Sequence, residues 1–268
     1  MYDDAAVNAW IQDDPDPVTR AELTELLCAA RSHGEQAQAA RRALSDAFSG
    51  TLAFGTAGLR GRLGGGPNRM NRVVVIRAAA GLSEYLKSRL GEGFSVVIGY
   101  DARHNSEQFA RDTAAVVTGA GGQAILFESH CPTPVLAFAL RRLEADAGVM
   151  VTASHNPPQD NGYKVYLGGR AVTDSGQGAQ IVPPYDSQIA AEIDAVGPVA
   201  SVPRPQSGWE TVDPHIREEY IERAAQAARM TAPAPVRIVL TAMHGVGGPI
   251  CREVLARAGF TDVVEVAE

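Results

Sequence analysis

The sequence predicts an α/β protein: a largely parallel mixed sheet flanked by helices, followed by the start of a second α/β domain. Three observations predict it. From residue 73 onward, short apolar runs alternate with helix-length segments, the order that a parallel sheet with crossover helices requires. A proline-rich stretch, Gly197 to Gly208, interrupts this order, and the alternation then starts again. The length, 268 residues, exceeds what most single cores hold and suits one large domain plus part of another.

In chain order, residues 1–50 read as a helical arm. Asp16-Pro17 makes an N-cap and first-turn pair, Leu23, Leu26 and Leu27 form an apolar stripe, and Gly34 breaks the helix before Phe48. Thr51 to Arg72 is dense in glycine and poor in helix and strand signals. Val73–Leu90 then reads as a helix, Phe94–Tyr100 as a strand, Asn105–Gly119 as a helix and Gln123–Phe127 as a strand. Pro134–Leu143 is a proline-led helix followed by the strand Val149–Thr152, which overlaps the apolar run Ala147–Val151, and the apolar run Tyr163–Leu167 is a further strand. Gly168–Gln180 is expected to be a mobile loop and Pro183–Val196 a helix. Domain I therefore spans 51–200. Residues 201–268 hold a linker and an incomplete second domain: helix Asp213–Met230, strand Val236–Thr241, helix Pro249–Ala258 and strand Thr261–Val266.

The formal charge is 24 − 31 = −7, an acidic excess that argues against nucleic-acid or anionic-membrane partners. It leaves open a phosphorylated small molecule, which a few arginines in one cleft can hold. Cys28, Cys131 and Cys251 are odd in number and widely separated, so free thiols in a reducing compartment are expected. With no secretory signal and no apolar run of membrane-spanning length, a soluble cytoplasmic protein is expected.

Several motifs are weak. Gly119 to Ala124 matches GxGxxA but follows a helix and precedes a strand, the wrong order for a pyrophosphate site. Gly245-Val246-Gly247-Gly248 has the right order, but it lacks a P-loop lysine, and tight packing accounts for it. His33, His130 and His215 have no partners at metal-ligand spacing.

Three strand-end or glycine-rich loops carry more. Thr152 to Lys164 reads TASHNPPQDNGYK. Open parallel sheets bind ligands at the carboxyl ends of their strands, where Ser154 and His155 would stand, with Lys164 returning on the next strand. A phosphate on Ser154 would need such a cation nearby, although every residue of the loop also makes good turns. The segment FGTAGLRG, Phe54 to Gly61, offers Thr56 and Arg60 on a backbone that can approach a ligand closely. The third loop is GYDARHNS, Gly99 to Ser106.

Together with NRMN (Asn68 to Asn71), NGYKVY (Asn161 to Tyr166) and GAQIVPP (Gly178 to Pro184), these loops resemble the α-D-phosphohexomutase superfamily, the phosphoglucomutases and phosphomannomutases, in the branch that opens with FGTAGLRG. Residues Thr241 to Phe260 resemble the start of that family's second domain. The resemblance implies that Ser154 is the catalytic phosphoserine, which exchanges its phosphoryl group with a sugar phosphate through a bisphosphate such as glucose 1,6-bisphosphate. It makes His155 a general acid/base or phosphate contact and Lys164 a substrate contact or proton-transfer aid, with Thr56 and Arg60 holding the sugar phosphate. Asp101 and Arg103 are read as supports that bind the loops together. Ser154, through its phosphate, would be one ligand of Mg2+.

The family's other Mg2+ ligands lie in an aspartate loop of the DGDxDR type, which these 268 residues lack. The stretch between Leu167 and Gly178 is also longer than the family leads one to expect. The chain is therefore expected to be the N-terminal part of a phosphosugar mutase acting on a hexose or pentose phosphate, not expected to turn over by itself. The alternatives are a non-catalytic sugar-phosphate-binding or interaction module that retains the fold, and a serine hydrolase using Ser154 and His155. The hydrolase suffers because sequence neighbours in extended chain point to opposite sides and no GxSxG elbow is present.

Overall fold

The computed structural model describes residues 2–228 and 236–266. Residues 229–235, which include the expected end of one helix at Met230, lie outside the described residues, as do Met1, Ala267 and Glu268. The arm holds α1 (Asp4–Asp13), α2 (Pro17–Ala30) and α3 (Glu35–Ala47). Asp16 caps α2 by accepting from the Val18 N–H at 2.9 Å, and Gly34 (φ 95°) separates α2 from α3. The first helix is capped by Asp3, whose side chain accepts from the Ala5 N–H. Val7, Leu23, Leu27 and Leu44 give the three helices a small core of their own, and Trp10 joins them to the main body beside Val73 and Ile76.

The main sheet has the order β1 (Leu59–Arg62), β5 (Asp160–Leu167), β4 (Ala147–Val151), β2 (Ser95–Tyr100), β3 (Gln123–Leu126), β6 (Glu210–Thr211). The pairs β4–β2, β2–β3 and β3–β6 are parallel, and β1–β5 and β5–β4 are antiparallel. Its central strands are buried on both faces, as their unbroken apolar runs require. On one face Val96, Ile98, Val149, Val151 and Tyr163 pack with α4 (Arg72–Leu90), α5 (Ser106–Gly119) and Ile189 of α7 (Tyr185–Ala195). On the other, Val97, Met150 and Tyr166 meet α6 (Thr133–Arg142).

The glycine-dense segment, read as poor in strand, supplies the edge strand β1. Gly58 makes this possible: φ is 73°, and a Cβ there would stand 2.0 Å from the Tyr163 carbonyl oxygen. The Gly119–Gly122 turn is a packing feature, since a Cβ on Gly119 would meet the Pro203 oxygen at 2.2 Å. The loop expected to be mobile, Gly168–Gln180, is tied down. Arg170 donates to the buried Asp146 carboxylate at 3.0 and 2.7 Å, Gly178 N–H bonds the Leu167 carbonyl at 2.8 Å, and Val172 is buried.

Beyond the Gly197–Gly208 connector, β6 still pairs with β3. Then follow α8 (His215–Ala228), β7 (Ile238–Leu240), α9 (Gly248–Arg257) and β8 (Val263–Glu265), with β7 and β8 forming a separate two-stranded parallel sheet. Ile216 and Ile221 of α8 and Ile250 of α9 join the same apolar cluster as Leu136 and Val97. This part of the chain thus leans on the core of the first sheet.

Candidate functional site

The loops after β2, β4 and β7 line one cleft of about 520 Å³, bounded by Asp101, Arg103, His104, Ser154, His155 and His244 among others. Ser154 and His155 are both exposed there. Ser154 has φ 59°, a left-handed conformation that costs a non-glycine residue about 1–2 kcal/mol. Its surroundings hold it in place. Thr152 Oγ1 accepts from the Ser154 N–H at 2.9 Å, and the Asn156 N–H donates to the Ala153 carbonyl at 3.1 Å.

Arg103 does most of this holding. Its guanidinium donates to the carbonyls of Pro157 (2.8 Å), Asp160 (3.0 Å), Ser154 (2.8 Å) and Asn156 (2.6 Å), and its Nε lies 3.4 Å from Asp101 Oδ2. Only a planar five-donor fork can serve so many acceptors at once. Asp101 is fixed in turn, accepting from the Ser106 hydroxyl at 2.7 Å and the Arg103 N–H at 3.0 Å. The buried Asn161 joins the loops, donating to the His104 carbonyl and the Ser106 hydroxyl, each at 2.9 Å. Asn161 and Gly162, residues that suit a tight turn, lie instead within β5, where β1 pairs with them; nothing in that local chemistry points to a contact 57 residues away.

Lys164, Arg60 and Thr56 do not line this cleft. Lys164 pairs with Met150 on β4, and Arg60 with Gly162 on β5, two residues before Lys164. Side chains two apart on a strand share a face, so Arg60 and Lys164 are companions at the sheet edge beside the Ser154 loop. Lys164 is only 8% exposed. Burial, together with the Arg60 charge, pulls its ammonium below the ordinary lysine range, while Asp101 opposes the shift. Arg60 Nε is buried with no acceptor among the described residues, a donor for which a ligand oxygen would compensate. Thr56 is exposed, and its carbonyl accepts from Gln180 Nε2.

The cleft offers an exposed hydroxyl and three imidazoles, and at the sheet edge outside it Arg60 and Lys164 carry no carboxylate partner among the described residues. Asp101, the one carboxylate among the described residues that line the cleft, is already bonded. It suits an anionic group. Among the described residues no three of His, Cys, Asp or Glu come together as a metal site, and no helix is long and apolar enough to cross a membrane.

Residues 51–197 match the family described as phosphoglucomutase/phosphomannomutase, alpha/beta/alpha domain I. The chain is 48% identical over 201 residues to the "Probable phosphomannomutase" of Haemophilus influenzae, covering 74% of this chain and 40% of that protein. It is 35% identical over 266 residues to the phosphoribomutase of Saccharomyces cerevisiae, covering 90% and 39%. It therefore spans about 40% of the length of these curated relatives. A crystal structure of a candidate phosphomannomutase from Thermus thermophilus superposes with a TM-score of 0.66 at 28% identity, over 81% of this chain and 46% of that one. A family protein from Burkholderia thailandensis shares the fold, with a TM-score of 0.60 at 24% identity over 78% and 42% of the two chains. The chain belongs to the phosphoglucomutase/phosphomannomutase family of the α-D-phosphohexomutase superfamily.

Proposed function

We propose that this chain carries the phosphoserine centre of a phosphosugar mutase, with Ser154 as the phosphoryl carrier. The observation behind this reading is that an exposed Ser154 is held in a costly left-handed conformation by a fully bonded Arg103 clamp. Strain kept in place by so many bonds is a feature of working sites. Relatives named phosphomannomutase and phosphoribomutase support a hexose or pentose phosphate as substrate.

In this reading a sugar hydroxyl attacks the phosphorus on Ser154, a new O–P bond forms, and the Ser154 Oγ–P bond breaks. The sugar bisphosphate turns over and returns its other phosphoryl group to Ser154, so atoms balance and the phosphoserine is regenerated. His155 moves the hydroxyl proton or holds a phosphoryl oxygen. Lys164 and Arg60 neutralise charge from the sheet edge, and Thr56 helps hold the sugar phosphate. Positioning and charge neutralisation supply most of the catalysis of phosphoryl transfer.

A phosphorylated Ser154 would give Mg2+ one oxygen, but Asp101 is engaged and no second carboxylate among the described residues lines the cleft. Magnesium favours a near-octahedral oxygen shell, so the described residues alone do not make a magnesium centre. We place the protein in the cytoplasm, where its phosphorylated substrates occur.

The test is incubation with glucose 1,6-bisphosphate and magnesium, read by intact mass and by mapping the phosphate. One phosphoryl group on Ser154, absent in Ser154→Ala, is expected, without sustained mutase flux. Sustained flux would overturn the view that this chain does not turn over by itself. Sugar-phosphate binding that survives Ser154→Ala, with no phosphorylation of the wild type, would favour a non-catalytic module.

A further inference from the structure

We propose that His244 is a phosphate contact on the wall of the cleft opposite Ser154, an inference that rests on the phosphosugar reading above. The cleft is lined by residues 101–104, by Ser154, His155, Asn156 and Pro158, and by residues 242–246, which lie between β7 and α9. In the sequence, tight packing accounts for the glycines of this second loop, and no motif assigns His244 a role.

The loop is held in a demanding shape. Met243 has φ 54° and His244 φ 94°, both in the region that favours glycine. Thr241 Oγ1 accepts from the Met243 N–H at 3.1 Å, and the Gly245 N–H donates to the Ala242 carbonyl at 2.7 Å. Glycine would satisfy this backbone at less cost, so the imidazole needs its own explanation. The fold does not provide one. His244 is exposed, it makes no ion pair or side-chain hydrogen bond among the described residues, and α9 begins at Gly248 with no side-chain cap.

The cleft supplies the explanation. His244 shares it with His155, His104 and Arg103, and the single carboxylate among the described lining residues, Asp101, is bonded to Ser106 and Arg103. An unpartnered imidazole N–H opposite an exposed serine, with no free carboxylate to compete, suits a phosphoryl oxygen. A metal fits less well, since no three ligand-type side chains converge among the described residues.

The full chain is titrated with glucose 1-phosphate while histidine ring resonances are followed by NMR in wild type, His244→Gln and Ser154→Ala. The His155 and His244 signals are expected to move together with one Kd, while His130, which does not line the cleft, stays still. His244→Gln is expected to raise Kd about tenfold, the usual scale for losing one charge-assisted bond, with His155 still responding as evidence of an intact fold. Movement of His155 without His244, or an unchanged Kd in His244→Gln, overturns the His244 assignment and leaves the sugar-phosphate cleft standing. Stillness of both overturns both. Movement of His244 in wild type and Ser154→Ala, with no phosphorylation of Ser154 by bisphosphate, keeps the contact and removes the phosphoserine reading.

Discussion

The two loops that face each other across the cleft end strands of very different standing. The Ser154 loop leaves β4, every residue of which is buried between two helical layers, and Arg103 bonds four of its carbonyls. The His244 loop leaves β7, whose Val239 is 65% exposed and pairs with the exposed Val264 on β8. Both loops hold non-glycine residues at positive φ. The first is stabilised by side chains from distant parts of the chain, the second, among the described residues, by its own turn hydrogen bonds. Sequence-local geometry can bend a loop, whereas fixing it takes long-range partners.

The largest expected effect breaks that asymmetry. Arg103→Met leaves four carbonyls without their donor and should cost about 2–4 kcal/mol. Hydrogen exchange at Ser154 and Asn156 should approach that of Met243 and His244, and a urea midpoint should fall. Unchanged exchange at Ser154 would show that the clamp is not what holds the loop. Asn161→Ala comes next, at about 2 kcal/mol, because the buried Ser106 loses its donor from β5.

A matched pair sharpens the comparison between the strands. Val97, fully buried in β2, should lose about 1–2 kcal/mol as Val97→Thr, since a hydroxyl enters an apolar layer. Val239→Thr should stay within about 0.5 kcal/mol. Equal losses in thermal unfolding would mean that the β7–β8 sheet is as well covered as the main one.

The smallest effect is in pH dependence. Burial and Arg60 lower the Lys164 pKa in the folded state, so the unfolded chain binds more protons between that value and the ordinary 10.5. Stability from this group therefore rises as pH increases across the interval that ends near 10.5. Lys164→Met should be more stable than wild type at neutral pH and should lack this alkaline rise in urea midpoint. A wild-type midpoint with the same pH slope as Lys164→Met would rule the effect out.

Much of the fold was legible because it is local. The apolar runs of β2, β3 and β4 and the Asp16-Pro17 start of α2 follow from spacing and capping within a few residues. The Ser154 loop could be found through its residues, and its link to Arg60 and Asp101 through resemblance. Three features were not legible. Strand β1 lies in a glycine-dense segment and forms only because β5 comes to meet it. The two residues of β6 carry no strand signal of their own and are ordered by β3. The loop Gly168–Gln180 looked mobile by composition, yet Arg170 finds Asp146 24 residues back along the chain.

The sequence by itself determined the alternation of helices and strands, the exposed polar loops at strand ends, and the serine, lysine and arginines that suit a phosphorylated ligand. These follow from residue period and side-chain chemistry, which act over a few positions. Only the tertiary structure decided that Arg103 would commit its guanidinium to the Ser154 loop, that Arg60 and Lys164 would share an edge without lining the cleft, and that His244 would complete the opposite wall. Each of those outcomes depends on strands tens of residues apart finding one register, and that is settled by packing of the whole core.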